Sequence, residues 1–534
     1  MTPRTTTRLI IIICGLALMV ANQRQINGFQ HTAEIDRVSS GTEMPMSLAI
    51  TSFALGPLRG VVVNALWWRA IRQQDAGEHF DALQLTHWIA QLQPTFASVW
   101  AFLGWNMSYN IAHDFADETD RWKWIDRAIS LLRDDGLRFN PDNRIIRHEL
   151  ARIFFDRIGG SIDPGTEYFK NQWAFRMMRY FDEGTTAELE RLAKAPESLE
   201  ALKAIPDVQR YVGAGRANGI DVFDFETEPP TPAGVDVGVD PKGRAASARV
   251  IYDFHRRQRI ETDLKLNIDR MLFIDSQYGP LDWRLHQAHA IYWSAEKTFD
   301  EFVATGVDYS QLVRQSMIQS FYAGRLFHDP IKDVITRTNN LEIIGRIHDY
   351  LEYLLENHYS YSIDMSHKRF LERAVAVLYS YNRSEDAFTL FEHYRDHYLK
   401  DKSMTYERFV VRSLEASLAP EVGQAGQSVV EVAIYQSFYW LNIGEYDRAN
   451  GFLDLAKLMW KIHQQASTGE PGKLLPPFED LVNLARTRFL EEGAIDGETL
   501  DARRQTAQDA KPKPLYLGTY DEPSGDVHDH RHQH

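Results

Sequence analysis

Residues 444–456 read GEYDRANGFLDLA, and their apolar and small positions recur at intervals of three and four residues. This interval is the period of an α-helix with one buried face. From Leu66 onward the same interval dominates, and few segments alternate apolar and polar residues as a half-buried β-strand does. The chain is therefore predicted to be all-α.

Small and large residues also recur at fixed distances from two prolines. Leu150, Ala151 and Phe154 follow Pro141 at +9, +10 and +13. Around Pro94 the matching residues are Gly77 (−17), Ala82 (−12), Trp100 (+6), Leu103 (+9), Gly104 (+10) and Met107 (+13). Small residues let two helix backbones approach at a crossing, and large residues fill the volume beside it. The spacing predicts paired helices, with tryptophans as core residues.

These offsets resemble the tetratricopeptide repeat, a helical hairpin of 34 residues. The match is best in Gly444, Tyr446, Ala449, Leu453 and Ala456, with Ser437 and Trp440 in the preceding helix; a weaker unit passes through Val375, Leu378, Ala387 and Phe391. The resemblance implies a tetratricopeptide-like α-solenoid at both ends of the chain. Because 47 residues separate Pro94 from Pro141, an insertion is expected at about His113 to Asp120.

Three short segments extend the resemblance. They are Leu66-Trp67-Trp68-Arg69-Ala70, Val99-Trp100-Ala101-Phe102 and Leu281-Asp282-Trp283-Arg284, and they resemble members of a group of membrane-anchored bacterial envelope proteins with tetratricopeptide-like repeats. The resemblance implies a fold and a topology and carries no chemistry.

The N-terminus has the layout of an export signal. Arg4 and Arg8 precede thirteen uncharged residues, 9–21, a length that suits either a cleaved signal peptide or a short uncleaved anchor. Met19 is a poor −3 residue for cleavage at Ala21, which favours the anchor. The positive N-terminus then stays in the cytoplasm, and the body lies in the periplasm of a bacterial inner-membrane protein.

The remaining boundaries follow composition. We expect a signal peptide or anchor at 1–24, a membrane-proximal segment at 25–65, a helical array at 66–218, a Pro- and Gly-rich linker at 219–243, a second array at 244–500 with a repeat unit near 430–460, and a disordered His-rich tail at 501–534. Whether 244–370 continues the array is left open. The apolar segment Leu48 to Trp68 is interrupted by Gly56, Pro57 and Gly60, and reads either as a membrane-surface docking segment or as core.

Composition and motifs exclude several classes of function. Fifty-nine basic against 74 acidic residues give a net charge of −15, which argues against nucleic-acid binding. The single cysteine, Cys14, leaves no thiolate site in the body of the chain. Arg152 stands where His148-Glu149 would need the second histidine of a zinc-hydrolase motif, and neither a phosphate-binding loop nor a serine-hydrolase elbow is present. The sequence thus predicts no catalytic residues and no cofactor.

Histidines are the remaining metal candidates. His393 and His397 share a helix face, as half of a metal site would, but the sequence identifies no third ligand; His286 and His289 are similar, and a solvated helix face is the favoured interpretation of both pairs. The tail histidines, a set able to bind Zn²⁺, Ni²⁺ or Cu²⁺ weakly, are His528, His530, His532 and His534.

The repeat register predicts a partner-binding groove. Its six residues occupy concave-face positions of two successive units: Trp105, Ser108, Tyr109, His148, Arg152 and Asp156. Aromatic residues and arginine are common anchors at protein interfaces, and Arg152 could pair with a peptide carboxylate. The competing interpretation is that the insertion fills the groove and these side chains only stabilise the fold.

The sequence therefore favours a non-catalytic, membrane-anchored scaffold for protein–protein interaction in the bacterial envelope. The alternative is an exported α/α-toroid carbohydrate-active enzyme or sugar-binding protein, since 12 Trp and 23 Tyr could line a sugar cleft. Two acids facing each other across an aromatic cleft would favour that alternative.

Overall fold

In a computed structural model of the chain, the described residues are 59–160, 163–217, 241–295, 310–329, 334–418, 427–466, 474–491, 495–509 and 514–518. Nearly all of them are helical, and the strands they contain form one two-stranded sheet. The all-α prediction is confirmed. The predicted signal or anchor at 1–24, most of the membrane-proximal segment and the tail histidines lie outside the described residues. Within them, no helix combines the length and the apolar character needed to cross a bilayer.

The chain divides into two compact units. The N-terminal unit comprises residues up to Ser276 with Pro280–Gln319 and Gly324–Arg337, and the C-terminal unit comprises Gln277–Gly279, Ser320–Ala323 and the residues from Thr338 onward. The helices up to the second unit are α1 (Arg59–Asp75), α2 (His79–Leu92), α3 (Ala97–Trp105), α4 (Glu118–Ser130), α5 (Leu137–Phe139), α6 (Arg144–Arg152), α7 (Thr166–Met177), α8 (Thr186–Ala193), α9 (Leu199–Ala204), α10 (Pro206–Ala217), α11 (Pro241–Asp263), α12 (Ile268–Tyr278), α13 (His286–Ser294) and α14 (Ser310–Ala323), followed by β1 (Arg325–Asp329) and β2 (Val334–Thr338).

Helices of the C-terminal unit pack partly against their neighbours in the chain and partly against more distant helices of the unit. They are α15 (Ile344–Asn357), α16 (Tyr361–Ser380), α17 (Ser384–Tyr398), α18 (Tyr406–Leu418), α19 (Gln427–Ile443), α20 (Tyr446–Ala466), α21 (Phe478–Glu491) and α22 (Gly497–Asp509).

The residues at the predicted offsets are core residues. Trp100, Leu103, Met107, Leu150 and Phe154 are all buried. Gly104 lies where α3 crosses the end of α4: a Cβ atom there would come within 2.5 Å of Leu132 Cδ1. Trp100 Nε1 and Asn140 Nδ2 both donate hydrogen bonds of 2.8 Å to the carbonyl oxygen of Pro94. The helix pairs are thus fixed both by close approach and by a shared hydrogen-bond acceptor.

The C-terminal segment that fits the repeat pattern best forms a tight hairpin between α19 and α20. Gly444 has a φ of +89°, a conformation that glycine adopts without strain. Its N–H and that of Glu445 donate to the Trp440 carbonyl, which closes the end of α19. Ser437, Ala449 and Ala456 are buried where the helices cross. In the weaker unit, all four predicted residues are likewise buried: Val375, Leu378, Ala387 and Phe391.

The expected insertion at His113–Asp120 is wrong. The helix that begins at Ala97 continues as a π-helix, Asn106–Ile111, and a short 3₁₀ turn, Ala112–Asp114. Only three residues, 115–117, separate this turn from α4. A second π-helix, Leu131–Gly136, extends α4, and a third, Ile153–Ile158, extends α6. The unit is therefore long because its helices are long.

Two predicted boundaries also differ from the structure. Residues 241–243, expected in the linker, begin α11, since proline is favoured in the first turn of a helix. Residues 501–509, expected in the disordered tail, belong to α22, where Leu500 and Ala507 are buried. The segment 514–518 also packs on the C-terminal unit: Leu517 is buried, and Tyr516 Oη donates a 2.6 Å hydrogen bond to Asp349. The prediction was based on the polar composition of the tail, in which these few buried apolar residues do not stand out.

The Gly104 crossing gives a stability prediction. Replacing Gly104→Ala should lower the free energy of unfolding by about 1–3 kcal/mol, because the added Cβ would force the fully buried Leu132 side chain to shift within the core. Gly213→Ala is the matched control in helix α10, since its Cβ would meet nothing within 4 Å; it should raise stability by about 0.5–1 kcal/mol. Urea denaturation measures both. Equal effects of the two substitutions would contradict the close crossing.

Candidate functional site

Four of the six predicted groove residues come together in the N-terminal unit. Trp105 ends α3, and Tyr109 lies in the π-helix that continues it. The rings of these two residues stack with centroids 6.5 Å apart. Tyr109 Oη donates a 3.0 Å hydrogen bond to Asp156 Oδ2, which lies in the π-helix after α6. We call Trp105, Tyr109, Arg152 and Asp156 the aromatic–arginine cluster.

Arg152 covers the tyrosine ring and is already paired. Its Cζ atom lies 4.3 Å from the Tyr109 ring centroid, a cation–π distance. Its Nε and Nη2 donate to the two carboxylate oxygens of Glu149 at 3.1 and 2.7 Å. Burial raises the pKa of Glu149, and the hydrogen bond and charge of Arg152 oppose that shift. Two-pronged capture of a peptide carboxylate by Arg152 would therefore have to displace Glu149.

Ser108 and His148 have different surroundings. Ser108 is fully buried, and its hydroxyl donates a 2.7 Å hydrogen bond to the Gly104 carbonyl. It faces the core, so the structure contradicts its prediction as a groove residue; a serine hydroxyl is commonly satisfied by the carbonyl one helical turn earlier. His148 is half-buried, and burial and the nearby Arg152 charge lower the pKa of its imidazole.

The charged residues that support the cluster were not predicted from the sequence. Glu149 is one of them, and Arg157 is another, with its Cζ atom 5.3 Å from the Tyr109 ring centroid. Arg157 and Arg121 both form ion pairs with Asp163, at 3.1 and 2.7 Å. Only three-dimensional proximity brings these residues together, although the spacing of Glu149 and Arg152 is a known helical ion-pair spacing. π-Helical turns occur frequently at functional sites, and two of them carry this cluster.

A second surface feature lies in α1 and α2 and in the connection after them. Six large apolar side chains are exposed there: Val61, Trp68, Ile71, Phe80, Trp88 and Phe96. In α1 only Val63 and Ala70 are buried, so the interpretation of residues up to Trp68 as plain core is wrong for the described part, 59–68. Arg72 lies over the Trp68 ring with its Cζ atom 4.3 Å from the centroid.

The predicted histidine pairs separate into buried and exposed residues. His286 and His289 are buried in the N-terminal unit, so the expected solvated face is wrong for both. His289 packs between the Phe154 and Trp173 rings and hydrogen bonds through Nε2 to the Trp283 carbonyl at 3.0 Å. His393 turns inward and His397 is exposed.

His393 meets His348 and His367, two histidines that the sequence analysis did not select. Nitrogen atoms of the three lie within 4.8 Å of one another. Since the three residues come from three different helices, no local sequence spacing could reveal the group. Among the described residues, this is the arrangement suited to holding a metal ion.

The carbohydrate alternative needs a cleft with two facing carboxylates. The C-terminal unit has a cavity of about 270 Å³, lined by Asn382, Ser437, Phe438, Leu441, Asn450, Leu453, Asp454 and Arg504. Asp454 is its one carboxylate, and burial raises the pKa of that group. This cavity therefore lacks the acid pair of a glycoside hydrolase.

Comparisons with known proteins give no further identification. The chain matches no protein-family model, no curated protein and no solved structure.

The buried His289 predicts a pH dependence of stability. Burial lowers the pKa of His289 to about 3, whereas in the unfolded chain it titrates near the ordinary value of 6.5. The unfolded state therefore binds the proton first, and stability falls as the pH drops from 7 toward 3. Between pH 7 and 5 this residue should cost about 2 kcal/mol. His289→Gln should flatten the dependence measured by urea denaturation at pH 7, 6 and 5 relative to the unsubstituted chain. An unchanged slope in His289→Gln would contradict this account.

Proposed function

We propose that the protein is a non-catalytic, tetratricopeptide-like scaffold that binds protein partners in the bacterial cell envelope, held to the inner membrane by its N-terminal segment. The observation that carries the proposal is the aromatic–arginine cluster. Helices α3 and α6, each extended by a π-helical turn, bring Trp105, Tyr109, Arg152 and Asp156 to one partly exposed surface.

The cluster has the chemistry of a protein contact. Trp, Tyr and Arg are enriched among the residues that dominate binding energy at interfaces. Here the tyrosine and arginine are held in place before binding, because Tyr109 is hydrogen bonded to Asp156 and Arg152 to Glu149. A partner that covers the Trp105 and Tyr109 rings therefore orders few side chains and leaves no unpaired charge behind. Since Arg152 is occupied, the expected contact is an apolar or aromatic side chain of the partner rather than a carboxylate.

The exposed side chains of α1 support placing this end of the chain at the lipid headgroups. Trp68 is 63% exposed, and α1 carries Arg59, Arg69 and Arg72 against a single acid, Asp75. Tryptophan and arginine suit the boundary between lipid and water. The segment that precedes α1 includes the thirteen uncharged residues, 9–21, that carry the anchor prediction.

The partner-binding proposal predicts the effect of a double substitution. Trp105→Ala with Tyr109→Ala should lower recovery of co-purifying proteins from detergent-solubilised native membranes by about tenfold or more, because both aromatic anchors are lost. Quantitative mass spectrometry of the purified complexes measures this. Far-UV circular dichroism should stay unchanged.

The matched control is Tyr359→Ala with Tyr361→Ala, which removes two more exposed aromatic side chains, 70% and 73% exposed, from outside the cluster. These substitutions should leave partner recovery intact. If the cluster variant recovers the same proteins in the same amounts as the control, the aromatic–arginine cluster is not the binding surface.

The anchor proposal makes a separate prediction. Deleting residues 2–24 should move the protein from the membrane fraction to the soluble fraction of the producing cell, since it removes the apolar segment and its flanking arginines. Immunoblotting of the two fractions, with and without alkaline carbonate washing, measures the shift. A truncated chain that resists the carbonate wash as the full chain does would contradict the anchor.

A further inference from the structure

Three successive helices of the C-terminal unit each contribute one inward-facing histidine. His348 lies on α15, His367 on α16 and His393 on α17. His348 and His367 are buried, and the side chain of His393 is 12% exposed. We call these three residues the histidine cluster.

The imidazole rings lie against one another. His348 Nδ1 is 2.9 Å from His367 Nε2, and the His348 and His393 ring centroids are 4.8 Å apart. One nitrogen from each of the three residues can be chosen so that all lie within 4.8 Å of one another. Small side-chain rotations bring such a set to the spacing of metal ligands, since zinc–nitrogen bonds of about 2.0–2.1 Å in a tetrahedron place ligand atoms about 3.4 Å apart.

Glu352 adds a carboxylate to the cluster. It lies one helical turn after His348, and its Oε1 is 3.3 Å from His348 Nε2 and 3.6 Å from His393 Nε2. Both distances are already close to the tetrahedral ligand spacing. Glu352 therefore places a carboxylate oxygen, a ligand that divalent transition metals accept, beside the imidazoles.

A second layer of contacts orients the cluster. The Tyr398 hydroxyl lies 2.9 Å from His367 Nδ1, so that hydrogen bond leaves His367 Nε2 directed at His348. Hydrogen bonds of this kind to the outer nitrogen are usual for metal-binding histidines. On another side, Gly518 lies so close to His348 that a Cβ atom there would come within 2.4 Å of His348 Cδ2.

We propose that His348, His367 and His393, with the carboxylate of Glu352 beside them, bind one divalent transition-metal ion that links α15, α16 and α17. Three imidazole nitrogens and one carboxylate suit Zn²⁺, Co²⁺, Ni²⁺ or Cu²⁺, whereas Ca²⁺ and Mg²⁺ require six or more oxygen ligands. The site is independent of the aromatic–arginine cluster, which belongs to the other unit.

Zinc binding by the full chain tests the proposal, once the tail histidines are removed as competitors. The reference protein carries His528→Asn, His530→Asn, His532→Asn and His534→Asn in the full chain. Equilibrium dialysis against Zn²⁺ should find about one ion per chain, and Zn²⁺ should raise the Tm, since an ion that binds only the folded state stabilises it. Co²⁺ should give visible absorption typical of tetrahedral nitrogen and oxygen ligands.

Two variants and a control, all made in the reference protein, locate the ion. His393→Gln and Glu352→Gln should each weaken Zn²⁺ binding by about tenfold or more. Both positions are partly exposed, so the fold should tolerate them, and circular dichroism checks this. His87→Gln, which removes an exposed histidine from α2 of the other unit, should bind Zn²⁺ like the reference. A reference protein that binds no Zn²⁺, or a folded His393→Gln variant that binds it as His87→Gln does, would overturn the proposal.

Discussion

The carbonyl oxygen of Pro94 is the acceptor on which the helix register of the N-terminal unit depends. Two hydrogen bonds of 2.8 Å, from the Trp100 indole and the Asn140 amide, tie the end of α2 to the start of α3 and to the turn before α6. Proline prevents the helix from continuing past this point, and the buried indole needs a partner for its N–H. Gly104 then sets how closely α3 approaches the end of α4. Together these contacts fix both the spacing and the rotation of consecutive helices.

This fixed register places the aromatic–arginine cluster. Because these contacts fix the orientation of α3 and α6 about their own axes, Tyr109 faces Arg152 and Asp156. Ser108, in contrast, points into the core. The π-helical turns shift the residues that follow them around the helix axis, since each turn inserts an extra residue. Glu149 neutralises Arg152, so the surface consists of ordered aromatic rings and carries no free charge from Arg152.

The sequence predicted those parts of the fold that depend on local spacing. Trp100, Gly104, Gly444 and Ala449 could be assigned because small, large and turn residues recur at fixed offsets, and the structure places each as expected. The prediction of an inserted loop was wrong because a longer helix and an inserted loop both lengthen the segment between Pro94 and Pro141, and composition does not distinguish them. The prediction of a disordered tail was wrong for its first residues, because a few buried side chains, such as those of Ala507 and Leu517, are enough to pack a polar segment against the fold.

Clusters of residues that are far apart in the sequence could not be predicted from local spacing. The pairing of Tyr109 with Asp156 joins residues from different helices, and the register predicted that they share a face but not that they bond. The histidine cluster spans 19 and 26 residues between successive members, on three helices, with no local motif. The sequence analysis selected only His393 of the three, through its spacing to His397, and the ring of His397 stacks on His393 from the exposed side, with centroids 4.2 Å apart.

Site-specific photocrosslinking in intact cells tests the central claim most directly. A photoreactive phenylalanine derivative replaces Tyr109 in one sample and Tyr359 in another, and the crosslinked products are identified by mass spectrometry. The account predicts discrete protein adducts from position 109 that are absent from position 359. Adducts to lipid alone, or the same adducts from both positions, would contradict a protein-binding scaffold.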